Sequence, residues 1–104
     1  MPDATFPLTA EPFDRAVLRL VRAGSDLTLR QAAVLLVTAT AEDPPTVRGL
    51  ASDLNVSKPV ITRALDKLGG QDLIRRRTDP TDRRSVLITV TPAGRAAAES
   101  LWRA

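Results

Sequence analysis

The chain has 104 residues, 43% of them hydrophobic, a formal charge of +3, and neither Cys nor His. It is therefore long enough for one core, while a disulfide framework, a thiolate nucleophile, a thiol switch and the commonest zinc ligand and general base are excluded. The basic excess is clustered: Lys58, Arg63, Lys67, Arg75, Arg76, Arg77, Arg83 and Arg84 are balanced only by Asp66, Asp72, Asp79 and Asp82, and the rest of the chain is nearly neutral, which points to a polyanionic partner. No apolar run reaches the roughly 18 residues needed to span a bilayer, and the first residues lack the charged and apolar regions of a secretion signal. The expectation is a cytoplasmic protein with no membrane partner.

Residues 1–8, with Pro2 and Pro7 and no periodicity, read as an N-terminal arm, and residues 9–104 as a single domain. Thr9 caps a first helix with Phe13, Val17, Leu20 and Val21 on one stripe, Leu8 and Phe13 at staple spacing, and Gly24 at its end. A second helix starts at Thr28, where Gln31 stands at capping-box spacing, and runs apolar nearly all round through Ala32–Val37 before Asp43-Pro44-Pro45 breaks it. Such a helix belongs in the middle of the fold.

Val47–Leu68 reads as two short helices joined by a tight turn. Leu50, Ala51 and Leu54 share a face, Asn55 suits a left-handed stop, Val56 turns back to the core, and Ser57 can cap a helix with Pro59 in its first turn. Ile61, Ala64, Leu65 and Leu68 then point inward, while Pro59, Thr62, Arg63 and Asp66 lie outside. Gly69-Gly70 ends this helix. Leu73–Arg77 and Ser85–Val90 form a hairpin, with Val86, Ile88 and Val90 on one face and Thr78–Arg84 as a projecting loop. Thr91 and Pro92 start a last helix, about 92–103, carrying Ala96, Ala97 and Leu101. The fold class is α+β, mostly α: a winged helix-turn-helix of a three-helix core, a β-hairpin wing and flanking terminal helices, with the recognition helix at about 57–69 and the wing at about 73–91.

A polar helix face by itself is ordinarily just solvated. Here it follows a turn that presents a helix N-terminus and precedes an arginine-rich hairpin, a combination that fits the major groove of double-stranded DNA. Arg63 can donate two hydrogen bonds to guanine O6 and N7, Thr62 and Pro59 can meet a thymine methyl or base edge, and Ser57 and Lys58 suit phosphates. Lys67 adds to the basic balance of the same helix. In the Arg75–Arg77 run the middle residue points opposite to its neighbours, so only part of it can face one partner; Arg76 and Arg77 are taken as DNA contacts. Of Arg83 and Arg84, one pairs with Asp79 or Asp82 to stiffen the wing and the other enters a minor groove, in either order. Thr46 and Arg30 can touch phosphate from helix starts or serve as a plain cap and a solvated side chain. Phe13, Val17, Leu20, Leu101 and Trp102 are the expected dimer interface. Carboxylates are scattered singly, no Gly-rich phosphate loop occurs and Ser has no His partner, so no enzyme, cofactor or metal site is expected.

Leu27–Gln31, Leu50-Ala51, Leu54–Ser57, Lys58-Pro59, Thr62-Arg63 and Asp66–Leu68, continued by Leu73–Arg77, Asp79–Ser85, Leu87 and Thr91–Arg95, resemble the MarR family of bacterial transcription regulators over about residues 27 to 96. The resemblance implies a homodimeric, sequence-specific DNA-binding regulator, most simply a repressor, with an Asp–Arg pairing in the wing. Two departures bear on the carry-over. The family dimerises through long terminal helices, including a pair after the wing, and this sequence stops within the first of them, so its dimer must differ or be absent. A small-molecule pocket often lies between those helices and the DNA-binding lobe, and with one wall shortened an effector is left open. Family members that sense oxidants through Cys or bind zinc are excluded by composition. A winged-helix interaction module, or an antagonist that pairs with another regulator through its terminal helices, is the alternative reading.

Overall fold

The computed structural model describes residues 14–15, 17–19, 21–22 and 26–102. The expected first helix is helical wherever it is described, whereas Thr9, Phe13, Leu20 and Gly24 lie outside the described residues, as does the Trp102 side chain. The chain divides into a larger unit, residues 27–98, and a smaller one drawn from residues 1–26 and 99–104.

In the larger unit, α1 (Leu29–Thr40) is opened by the expected capping box: the Thr28 hydroxyl accepts from the Gln31 N–H, and the Gln31 carboxamide oxygen accepts from the Thr28 N–H. Ala32, Val34, Leu35 and Thr38 are buried, and the Thr38 hydroxyl donates to the Val34 carbonyl, which satisfies it inside the core. The apolar character of α1 is not uniformly internal, because Leu29 in its first turn is 74% exposed.

The α2 helix (Val47–Leu54) ends at Asn55, which takes the left-handed conformation. The N–H of Val56 reaches the Ala51 carbonyl at 3.0 Å and that of Asn55 the Ser52 carbonyl at 3.2 Å, a Schellman closure that satisfies orphan carbonyls and reverses the chain. The α3 helix (Lys58–Gly70) follows. Ile61, Leu65 and Leu68 are fully buried against Leu35 and Leu50, each side chain contributing about 1.5–3 kcal/mol by leaving water.

The start of α3 differs from expectation. Ser57 occupies the cap position, but its hydroxyl makes no capping bond, because its own carbonyl already takes the Val60 and Ile61 N–H groups and Pro59 has none to offer. Gly69 and Gly70 end the helix as expected, yet neither takes the left-handed conformation. The left-handed stop falls on Asp72, and the N–H of Leu73 closes a second Schellman motif on the Leu68 carbonyl at 2.9 Å. Asp tolerates this conformation for the same reason Asn does: its short polar side chain bonds locally.

Strands β1 (Ile74–Asp79) and β2 (Asp82–Val90) pair antiparallel from Ile74 with Val90 to Thr78 with Val86. Val86, Ile88 and Val90 face the core as expected. Leu73 lies outside the strand because it closes the α3 terminus, and the ladder runs into the expected loop, leaving only a turn at Pro80-Thr81. β2 also pairs with the segment before α2, through the Ile88 N–H on the Pro45 carbonyl and a bridge between Thr46 and Leu87.

The α4 helix (Pro92–Trp102) starts at a buried junction. The Thr91 hydroxyl donates to the Asp72 carbonyl at 2.6 Å and accepts from the Gly94 N–H, while the Thr91 N–H bonds the Leu73 carbonyl. A Cβ on Gly94 would stand 1.9 Å from the Leu73 carbonyl oxygen, so only glycine lets the two backbones approach this closely. Gly94→Ala should therefore lower stability by about 1–3 kcal/mol, the range for forced overpacking, read as a lower urea midpoint. An unchanged midpoint would show that the junction has slack.

Candidate nucleic-acid interface

Burial of Ile61, Ala64, Leu65 and Leu68 leaves Lys58, Pro59, Thr62, Arg63 and Asp66 exposed on the outer face of α3. Ser57 precedes them, also exposed, with its hydroxyl uncommitted to the helix end. Lys67 is half-buried beside them. Arg30 stands in the first turn of α1, where a positive charge opposes the helix dipole at a cost of about 0.3–1 kcal/mol, so local helix energetics does not explain it. It lines a cleft of about 190 Å³ together with Thr28, Gln31, Val60, Arg63 and Ala64. The fold thus brings Arg30 and Arg63, far apart in sequence, to one concave site.

Thr46 is the cap of α2: its hydroxyl accepts from the Gly49 N–H at 2.9 Å, so that half-buried oxygen is already used by the helix. Of the arginine run, Arg75, Arg76 and Arg77 are all exposed, but Arg76 has the parity of Ile74 and is paired across the ladder with Ile88, which places it on the core-facing side of the hairpin. Its Nη2 donates to Asp66 Oδ1 of α3 at 2.9 Å. Sequence reading missed this partner, although the strand alternation that turns the middle arginine away from its neighbours was the signal for it.

The hairpin tip is organised by two aspartates. Asp79 Oδ1 accepts from both the N–H and the hydroxyl of Thr81, an Asx-type turn. Asp82 accepts from the Arg84 N–H and the Ser85 hydroxyl. Because Asp79 pairs with Asp82 and Thr78 with Val86, Arg83, Arg84 and Ser85 have no partner across the ladder and bulge from it. Arg84 Nε lies 3.8 Å from Asp82 Oδ1 with its side chain 94% exposed, a loose and solvent-screened pair. Arg83 makes no ion pair among the described residues.

In the smaller unit Val17, Leu18 and Val21 are 38%, 47% and 70% exposed, and Leu101 is half-buried. Among the described residues there is no cluster of His, Cys, Asp or Glu that could hold a metal ion, and no helix long and apolar enough to cross a membrane.

A family model described as the MarR family matches residues 27–86. No curated protein matches the chain significantly. Among solved structures the chain is similar to a mutant of Lactococcus lactis ZitR, 35% identical over 72% of this chain and 51% of that one with a TM-score of 0.65. It is also similar to the transcriptional regulator BldR of Sulfolobus solfataricus, 30% identical over 93% of this chain and 68% of that one with a TM-score of 0.71. A mutant of S. aureus MepR bound to an oligodeoxyribonucleotide is 26% identical over 93% of this chain and 70% of that one, with a TM-score of 0.76. The chain spans about half the length of the ZitR chain it matches.

The bonds from Thr81, foremost its backbone N–H, hold the Asp79 carboxyl below the usual carboxylate range. A carboxyl depressed in the folded state stabilises the tip at pH above its unfolded value of about 3.9, and that contribution is lost as pH falls through the depressed value. The Thr81 amide resonance should titrate below that of an unfolded Asp, and Asp79→Ala should abolish the titration. A midpoint at or above the ordinary value would remove Asp79 as the organiser of the tip.

Proposed function

The chain belongs to the MarR family of transcription regulators, and on that premise we propose that it binds double-stranded DNA in a sequence-specific manner and acts as a repressor by occluding promoters. The observation that carries the reading is the exposed polar face of α3, where Arg63 shares a cleft with Arg30, beside a helix N-terminus whose Ser57 hydroxyl is uncommitted. Arg63 reads guanine, Thr62 and Pro59 touch neighbouring base edges, and Ser57, Lys58 and Arg30 hold phosphates that set the register. Lys67 and Arg77 supply charge at the margin. The bulge that carries Arg83 and Arg84 serves as a clamp on the minor groove or backbone. Binding of MepR to an oligodeoxyribonucleotide supports the same use of the fold. Thr46, by contrast, serves as a cap, and any phosphate contact there comes from the backbone.

We further propose a homodimer built on the first and last helices, since Val17, Leu18 and Val21 form an apolar exposure that a second copy would cover. Light scattering at micromolar concentration should give twice the chain mass. A strictly monomeric mass with and without DNA would overturn it.

Two variants test the DNA reading on a duplex that the wild-type protein selects from a random-sequence library. Arg63→Ala should cost about 1–3 kcal/mol on that duplex and little on random DNA, as removal of a bidentate base hydrogen bond does. The double change Arg83→Ala with Arg84→Ala should instead leave preference nearly intact and make the slope of log affinity against log salt shallower by about 0.9 for each phosphate no longer neutralised. An equal effect on both DNAs for Arg63→Ala would make it a phosphate contact; an unchanged slope for the folded double variant would take the wing out of the interface.

A further inference from the structure

We infer that Arg76 is a positioning residue that holds the Asp66 carboxylate away from Arg63 and so keeps Arg63 free to donate to a base. The inference rests on the DNA-binding reading above and adds a role that the reading does not contain. Asp66 shares the outer face of α3 with Arg63 and Thr62, which precede it by three and four residues. On a helix this spacing brings a carboxylate and a guanidinium into reach of each other. Asp66 therefore has two candidate partners, Arg63 one turn before it and Arg76 across on β1, and the structure shows the bond to Arg76 at 2.9 Å. Arg63 makes no ion pair among the described residues.

The geometry favours the longer connection. Arg76 lies on the core-facing side of the hairpin, and its Nη2 passes 3.8 Å from the point where a Cβ on Gly69 would stand, so the guanidinium rests against the end of α3. Its side chain is 37% exposed, against 73% for Arg75 and 94% for Arg84, and it gives up less freedom than those would in holding one geometry. The Asp66 side chain is 62% exposed and is free to swing once Arg76 is removed. The pair also neutralises the one carboxylate on a face that would otherwise meet phosphates with like charge. Removal of Arg76 has two consequences, an uncompensated negative charge on that face and capture of the base-reading guanidinium.

Binding to the wild-type-selected duplex and to random DNA across salt concentrations tests this with Arg76→Ala, Asp66→Asn and the two combined. Arg76→Ala should reduce the ratio of selected to random affinity about two- to fivefold, the range an exposed ion pair allows, with the salt slope unchanged. Asp66→Asn should leave that ratio near wild type. In combination it should restore the ratio to the wild-type value, because Asn cannot capture Arg63 as an ion pair. If Arg76→Ala does not fold by circular dichroism, Arg76→Met, which keeps the apolar stem, replaces it. A slope shallower by about 0.9 that persists in the combined variant would make Arg76 a phosphate contact and overturn the inference. So would Asp66→Asn raising affinity by the same factor in both backgrounds, since Asp66 would then be a simple repulsive charge. Failure of the wild-type protein to discriminate the selected duplex from random DNA would instead overturn the DNA-binding reading, and this inference with it.

Discussion

The chain reverses direction at both ends of α3 through the same hydrogen-bond pattern, with Asn55 and Asp72 in the left-handed conformation and the N–H groups of Val56 and Leu73 returned to the Ala51 and Leu68 carbonyls. The directions in which α2 and the hairpin leave α3 depend on these two reversals. The first sets the angle between α2 and α3, so that the stripe Ile61, Ala64, Leu65 and Leu68 lies on Leu35 and Leu50 and its opposite face is turned out. The second delivers Leu73 and Ile74 to the hairpin and brings the Asp72 carbonyl to the Thr91 hydroxyl, which in turn caps α4. Carbonyls left without partners at a buried helix end would be costly. At each end the solution uses one short polar residue and the backbone N–H that follows it.

Charge is distributed by that scaffold rather than by the order of residues. Four arginines that look alike in sequence have different tasks in the fold. Arg76 is bonded to Asp66, Arg75 sits loosely 3.9 Å from Asp72, and Arg83 and Arg84 are pushed outward because Asp79 and Asp82 close the ladder around Pro80-Thr81 and leave them unpaired across it. Arg30, in a helix turn that does not favour a positive charge, lines the same cleft as Arg63. Counting positive charges along the chain therefore overstates the number available to a polyanion, and the face on which each lies decides which remain.

The legible part of the site was the part encoded by local rules. The Thr28–Gln31 capping box, the stop at Asn55, the inward stripe of α3 and the facing of Val86, Ile88 and Val90 follow from side-chain periodicity and from the few residues that tolerate a left-handed backbone, and the structure has each of them. The resemblance extended this to the family, with Arg63 and the wing marked as candidates. Where the structure departs from the sequence reading, a second local solution is used: Asp72 rather than a glycine takes the left-handed position after the helix, the carbonyl rather than the hydroxyl of Ser57 accepts at the helix start, and a short turn closed by Asp79 and Asp82 replaces most of the expected loop.

By itself, then, the sequence determined the element order, the winged helix-turn-helix class and the residues on the outer face of the recognition helix, because helical and strand periods act over a few residues and need no distant partner. Tertiary structure alone decided that Arg76 meets Asp66, that the Thr91 hydroxyl meets the Asp72 carbonyl, and that α4 starts against the Leu73 carbonyl at Gly94. Each of those is a contact between segments well separated in the chain. Its existence depends on how the helices and the hairpin pack, and no local pattern of residue types fixes that.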